Sequence, residues 1–373
     1  MQLNHLSLAN FKNIAEASLD FSPKINCFLG NNGMGKSNLL DAIFYLSFCK
    51  SFSGMTDAML MRRGEDYAMA KGLYMRRDTP EEVSLGLARG RRKTLKRGGK
   101  EYQRLSQHIG TFPIVMAAPQ DIDLIRGTGE ERRRWMDMVI SQSDSRYLDA
   151  LIRYAGALEQ RNRLLRAGIV DHTLYEAIET QMSAAAEYIH PTREKWTERL
   201  SGIFSRYYRA IAGDDTETVG LAFRGSLHSS PDGTLRPLLD SARRHDEVVR
   251  HTSVGPHRDD IDFTLDTMPL RRCGSQGQCK TFTIALRLAQ FEFLLDATGI
   301  KPLLLLDDIF DKLDADRVER IMALVTGSHF GQIFITDTNR KHLDDIIART
   351  GGDYRLWTVA DGTFTLAASA TPA

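Results

Sequence analysis

The sequence predicts an α/β fold organised around a phosphate-binding loop, with a helical arm inserted into it. Three observations carry this prediction. Gly30, Asn31, Asn32, Gly33, Met34, Gly35, Lys36 and Ser37 fit GxxxxGKS and lie between a short apolar run, Ile25 to Leu29, and an amphipathic segment that begins near Lys36. Leu303 to Leu306 form an uninterrupted apolar run ending in Asp307 and Asp308. Between Gln120 and roughly Gly213 the pattern is helical, and strand signals return only beyond it.

Taken in order, Leu3, Leu6, Leu8 and Phe11, then Ala15, Ala17, Leu19 and Phe21, roughly alternate with polar residues on either side of Lys12 and Asn13. This predicts an antiparallel pair ahead of the loop strand. In the loop, glycines let backbone N–H groups curl around a phosphate, Lys36 can reach the β and γ phosphates, and the Ser37 hydroxyl can ligate magnesium. A nucleoside triphosphate is the ligand this pattern takes. The plainer alternative, a glycine-rich turn matching by chance, is opposed by the strand before it and by Leu39, Leu40, Ile43, Phe44 and Leu46 at helical spacing after it.

Met69 to Met75 and Val83 to Leu87 then read as short strands, followed by a basic segment turning at Gly98 and Gly99. Arg89, Arg91, Arg92, Lys93, Lys96, Arg97, Lys100 and Arg104 lie in it, with Glu101 the only acid among them. Such a hairpin is either a solvated sheet edge or a phosphate-contact surface for DNA, in which Lys93, Lys96, Arg97 and Lys100 would make the contacts. Arg132 to Arg134, or Arg243, Arg244 and Arg250, are the next basic candidates.

In the arm, Trp135, Met138 and Val139 begin one apolar stripe, and Tyr154, Leu158, Leu164 and Leu165 run to Gly168. Leu174, Ile178, Met182, Ala185 and Ile189 repeat every 3.6 residues until Pro191 interrupts, and a separate helix is predicted from Thr192 to Ile211. Strands at Val219 to Phe223 and Ile261 to Leu265 flank a helix from Leu235 to Val249. The strand Leu303 to Leu306, helix Ala315 to Val325, strand Gln332 to Thr336, helix His342 to Ala348 and strands Tyr354 to Val359 and Thr363 to Leu366 return the chain to the loop sheet. The tail from Ala367 is expected to fray.

The 373-residue chain is 42% hydrophobic and 26% charged, which excludes a fibrous or disordered class and leaves room for two domains or one elaborated domain. Lys plus Arg number 49 against 48 Asp plus Glu, so any attraction to nucleic acid must come from local patches. Cys27, Cys49, Cys273 and Cys279 show no CxxC spacing and read as free thiols. No run approaches the roughly eighteen apolar residues of a membrane span, so a soluble cytoplasmic protein without a membrane partner is expected.

The Leu303 to Leu306 run fits a parallel strand buried on both faces, with Asp307 placed to hold magnesium and Asp308 to act as base toward an attacking water. Two acids capping the next helix are the alternative. Upstream, Gly274, Ser275, Gln276, Gly277 and Gln278 lead into an apolar helix from Phe282 to Leu295, and offer free N–H donors at its start.

This order of motifs resembles the ABC and SMC-type ATPase heads and, within them, the RecF family of bacterial recombination mediators. The resemblance rests on LANFKNI (Leu8 to Ile14), GNNGMGKSNL (Gly30 to Leu39), Pro119 to Asp121 with Arg132 to Asp137, QRNRL (Gln160 to Leu164), GPHRDD (Gly255 to Asp260), SQGQ (Ser275 to Gln278) and Asp307 to Asp314. It implies a P-loop ATPase head carrying a helical arm, or lid: residues 1–118 and 255–373 as the head, 119–254 as the arm. ATP would be held by Gly30 to Asn38, with Gln120 at the Q-loop position near magnesium. Ser275, with Gln276, Gly277 and Gln278, would contact ATP on a second subunit. Asp314 would be the D-loop aspartate, Thr336 the switch residue, and Lys12 and Asn13 would lie near the adenine.

The implied protein is a weak ATPase that forms a homodimer with ATP, recognises gapped or junction DNA, double- and single-stranded, and helps load RecA with RecR and RecO. An SMC-like clamp or defence ATPase without a RecA-loading role, and a transporter ATPase subunit, are the alternatives; the arm and GPHRDD argue against the transporter. Ser51, Phe52, Ser53, Gly54 departs from the family pattern, in which an arginine commonly follows the phenylalanine.

Overall fold

The computed structural model describes residues 1–213, 217–311, 313–348 and 353–370; Lys312 of the Asp311 to Asp314 motif and the last three tail residues lie outside this range. Contacts divide the chain into two units, Met1–Asp121 with Ala210–Gly213 and Lys280–Ala373, and Ile122–Arg209 with Asp214–Cys279. The first unit opens with β1 (Gln2–Phe11), β2 (Ile14–Asp20), β3 (Ile25–Leu29), α1 (Lys36–Phe48) and the single turn α2 (Asp57–Leu60). β4 (Tyr67–Arg76), β5 (Thr79–Ala88), β6 (Thr94–Arg97), β7 (Lys100–Glu101) and β8 (Ile114–Ala117) follow. Next come α3 (Asp123–Arg126), α4 (Gly129–Ser143), α5 (Ser145–Ala167), α6 (His172–Ala212), β9 (Val219–Arg224), α7 (Arg236–Val249), β10 (Asp260–Leu265), β11 (Met268–Pro269) and α8 (Leu270–Cys273). The chain ends with α9 (Gln276–Thr298), β12 (Leu303–Asp307), α10 (Ala315–Thr326), β13 (Ile333–Asp337), α11 (Arg340–Ala348), β14 (Tyr354–Ala360) and β15 (Thr363–Ala370).

The first unit contains two six-stranded sheets, ordered β2-β1-β4-β5-β6-β7 and β15-β14-β3-β13-β12-β8. The second is parallel from β14 to β8, and only β15 runs antiparallel. Its central strands β12 and β13 are largely apolar because they are buried on both faces, and every residue of the two is buried. β15 extends to Ala370, so Ala368 to Ala370 pair with β14 and are not frayed. The expected amphipathic helix after the loop is instead apolar almost all round. Ten of the 13 residues of α1 are buried, since it packs against strands of both sheets.

In the second unit Pro191 does not break the chain into two helices. α6 runs unbroken from His172 to Ala212. Ala185, Ala186 and Ile189 before the proline and Trp196 and Leu200 after it are all buried, so one continuous apolar stripe holds both halves on the same axis. Thr192 also donates its hydroxyl to Tyr188 O at 2.6 Å. Residues 255–279 cluster with this unit, not with the first, because β10 pairs antiparallel with β9.

Two buried arginines organise that unit. Arg161, in the QRNRL stretch, is fully buried between Glu179 and Asp246, and Arg193 binds Asp137, Asp259 and the Tyr147 hydroxyl. GPHRDD is the other half of this network. Pro256 O accepts from Arg193 at 2.6 Å, His257 Nδ1 pairs with Tyr154 OH at 2.8 Å, and Asp260 binds Arg132 at 2.7 Å. Gly255 has φ 119°, and a Cβ there would stand 2.5 Å from Tyr154 OH. Removing one partner from such a pair leaves a buried charge, a loss of about 3–5 kcal/mol. The motif is therefore architectural.

Candidate nucleotide-binding site

The phosphate-binding loop leaves β3 at the carboxyl end of the parallel sheet, where such sheets place ligands. Gly30 lies against the backbone of β14, where a Cβ would meet Val359 O at 2.4 Å. Gly35 has φ 110°, and a Cβ there would stand 2.9 Å from Asn13 Oδ1. Lys36 is buried, donating to Gly30 O at 2.7 Å and Asn31 O at 3.1 Å, with its Nζ 4.0 Å from Asp308 Oδ2. It therefore spans the loop, and phosphate oxygens entering there would replace the two carbonyls as its partners.

Asn38 donates to Asn13 Oδ1 at 2.8 Å, so Asn13 buttresses the loop. Lys12, expected near the adenine, pairs with Asp41: its ammonium lies 2.6 Å from that buried carboxylate, which also accepts from Ser51 Oγ and Phe52 N. Nothing in the sequence pattern singles out Asp41, although it lies one helical turn beyond Ser37. Ser53 joins the same network through Ser51, at 2.8 Å between hydroxyls. Beside it an open cavity of ≈ 560 Å³ is lined by Lys12, Asn13, Met59, Met61, Arg62 and Arg63. The two arginines are exposed, and no motif in the sequence points to them.

β12, β13 and β3 are in register so that Asp307 stands opposite Thr336, and Thr336 opposite Phe28. Asp307 Oδ1 accepts from Ser37 Oγ at 2.9 Å and Thr336 Oγ1 at 2.7 Å. A buried carboxylate and a loop serine hydroxyl sharing one point are hard oxygen donors of the kind magnesium takes, so the residues fit that ion. Thr336, expected at the switch position, is fully buried, and its hydroxyl orients the Asp307 carboxylate. Asp308 has φ 44° and donates its N–H to the Thr336 carbonyl and hydroxyl. This turns its carboxylate toward Lys36.

Burial raises the Asp307 carboxyl above the usual carboxylate range, against the hydrogen bonds from Thr336 and Ser37 that lower it. The folded state then holds the proton more tightly than the unfolded chain. Stability without nucleotide should fall as pH rises from about 4 through the raised value, and a fixed penalty remains above it. Asp307→Asn keeps an acceptor for both hydroxyls. We expect it to raise the melting temperature of the nucleotide-free protein at pH 8 by about 2–4 °C, less at pH 4, and to lose magnesium-dependent ATP binding. Equal melting temperatures at pH 8 would contradict this.

Gln120 is exposed on the turn Pro119–Ile122 that follows β8, the neighbour of β12. Asp121 pins that turn by accepting from Ala118 N and forming a bidentate pair with Arg287 at 2.5 and 3.0 Å. Ser275 is exposed in the second unit and forms a reciprocal capping box at the start of α9. Its hydroxyl accepts from Gln278 N at 3.2 Å, and Gln278 Oε1 accepts from Ser275 N at 2.8 Å. Gln278 also reaches Glu217, while Gln276 is exposed and Gly277 half-buried. Asp314 caps α10 by accepting from Arg317 N at 2.9 Å.

The basic hairpin forms as β6 and β7, but two of its four candidate DNA-contact cations are already paired within the fold. Lys93 turns inward to Cys49 O at 2.6 Å and Asp57 at 3.0 Å, and Arg97 pairs with Glu81 at 2.6 Å. Lys96 and Lys100 are exposed, as are Arg91, Arg92 and Arg104. Arg132 and Arg133 are likewise taken up internally, by Asp260 and Asp259 O, whereas Arg250 is exposed although it donates to Leu165 O. Among the described residues no helix is long and apolar enough to cross a membrane.

The family model for the RecF/RecN/SMC N terminal domain matches residues 2–80. "DNA replication and repair protein RecF" of Parabacteroides distasonis is 48% identical over 362 residues, covering 97% of this chain and 98% of that protein. The solved structure of the recombination mediator protein RecF-ATPrS in the RecFOR pathway superposes with a TM-score of 0.88 at 28% identity, over 98% of both chains. An Smc head domain from Pyrococcus furiosus, 18% identical with a TM-score of 0.59 over 99% of this chain and 96% of its own, shares the fold. The helical arm, the loop and acid constellation, and a relative nearly half identical along almost the whole chain lead to one assignment: this chain belongs to the RecF family.

Proposed function

We propose that this chain is an ATP-switched, DNA-binding recombination mediator. It binds ATP with magnesium in the loop site, forms a homodimer through Ser275, engages gapped or junction DNA and acts with RecR and RecO to load RecA. The observation that carries the reading is the convergence of Ser37, Thr336 and Asp307 beside Lys36. The likeness to a RecF structure whose nucleotide is named supports ATP as the ligand. In this reading magnesium neutralises phosphate charge, Ser37 and Asp307 hold it, Lys36 binds the β and γ oxygens, and Gln120 orients the ion's outer shell. The cavity beside Asn13 takes the nucleoside end, with Arg62 and Arg63 as its cations. Sedimentation with and without ATP and magnesium, in the presence and absence of gapped duplex, tests the whole; a monomer under every condition would overturn it.

Asp308 is the base. One methylene shorter than glutamate, and turned by its backbone toward Lys36, it has limited reach to an attacking water, so wild-type turnover should lie below the ~10 s⁻¹ typical of enzymes. Asp308→Asn should keep ATP binding and slow turnover further; turnover of hundreds per second by the wild type would contradict this role.

For DNA, Lys96 and Lys100 are the cations that remain available, because Lys93 and Arg97 are structural. Alanine at both should weaken ATP-dependent DNA binding and make log affinity shallower against log salt by about 0.9 for each phosphate no longer neutralised, with ATP affinity unchanged. If affinity and salt slope both stay at wild-type values, the hairpin is a solvated edge.

A further inference from the structure

His190 and Glu194 are four residues apart on α6, so their side chains leave the same face of the helix. His228 lies on the single 3-10 turn Ser226–Ser229 that follows β9. One candidate ligand atom from each of the three falls within 4.8 Å of the others. His228 Nε2 and Glu194 Oε1 are 3.0 Å apart, and the two imidazoles meet edge to face with centroids 4.9 Å apart. A surface His–Glu pair would account for two of these residues. It does not account for His190, which is 9% exposed and whose Nδ1 has no hydrogen-bond partner among the described residues.

Room has been made for that ring. Gly225 has φ −83°, a conformation open to any residue, yet a Cβ there would stand 2.2 Å from His190 Cε1 and 2.8 Å from Nδ1. Phe223 walls both imidazoles, at 5.3 and 5.7 Å between ring centroids. Burial holds the His190 imidazole below its ordinary value. The neighbouring cation, Arg193, is already neutralised by Asp137 and Asp259.

We propose that His190, Glu194 and His228 bind a divalent d-block cation of the zinc class, tying α6 to the turn after β9. Two imidazoles and one carboxylate are the donor set such ions take, with a fourth position left to water. Tetrahedral zinc spaces its donors about 3.3 Å apart, given bonds of about 2.0–2.1 Å. The Glu194–His228 edge is already close to that length, and the two edges to His190 are at most 4.8 Å.

Zn²⁺ alone is the probe, titrated calorimetrically into the full chain carrying Cys273→Ser, since Cys273 is an exposed thiol that would itself bind zinc. One ion per chain at about 1 μM or tighter is expected. His228→Ala and Glu194→Gln should each weaken binding at least tenfold; both alter side chains at the surface, and unchanged circular dichroism and ATP binding would verify folding. Co²⁺ should give a visible spectrum without thiolate charge transfer. Undiminished Zn²⁺ binding in both variants, or binding only at millimolar Zn²⁺, would mean an adventitious metal only and overturn the site.

Discussion

Lys36→Ala is expected to fold normally and to bind ATP about 10–100-fold more weakly. Lys36 is the only cation aimed at the β and γ phosphates from within the loop, and charge-assisted hydrogen bonds of this kind contribute about 1.5–3 kcal/mol. Its present partners are the carbonyls of Gly30 and Asn31. Asn31 is exposed and Gly30 half-exposed, so water can replace the lost donor and the fold tolerates the change. A second consequence concerns charge. With the ammonium gone, Asp308 loses the one group that lowers its raised pKa, and Asp307 loses one of three, so both carboxylates become harder to ionise. Equilibrium binding of a fluorescent ATP analogue, with circular dichroism as the control, measures this directly. Normal affinity in a folded Lys36→Ala protein would remove the loop as the nucleotide site.

Ser275→Arg should leave the ATP affinity of the monomer nearly unchanged and abolish ATP-induced dimerisation. The capping box makes this experiment ambiguous by itself, because losing the hydroxyl also removes a cap worth about 0.5–2 kcal/mol. Ser275→Asp separates the two roles. Aspartate caps a helix as well as serine does, but its charge would stand against a phosphate held by a second subunit. If Ser275 acts in trans, Ser275→Asp keeps wild-type stability and fails to dimerise with ATP. A Ser275→Asp protein that sediments as a dimer with ATP would reduce Ser275 to a cap.

Much of this architecture was legible in the residues. The strand β12 follows from an unbroken apolar run, since a parallel strand buried on both faces has no polar side to present. The turn at Gly98 and Gly99, and the end of α5 at Gly168 with φ 67°, follow from the conformations that glycine alone adopts without strain. Pro191 misled because the local rule is weaker than a shared core: about 3 kcal/mol opposes proline inside a helix, and the buried residues on either side outweigh it.

The sequence by itself determined that a phosphate loop, a magnesium-type acid pair and a helical insertion exist, because each is written in residues adjacent along the chain. Only the tertiary structure decided which charges are free. Lys12, Lys93, Arg97, Arg132 and Arg161 look alike in a string of letters, yet each closes an ion pair or hydrogen bond with a residue 16 to 128 positions away. Likewise GPHRDD marks the family but serves as packing, and the His190–Glu194–His228 cluster joins a helix to a turn that no spacing rule connects. Charges and ligands are matched through space, and the partner that neutralises a side chain is fixed by how the sheets and helices pack, not by its neighbours in the chain.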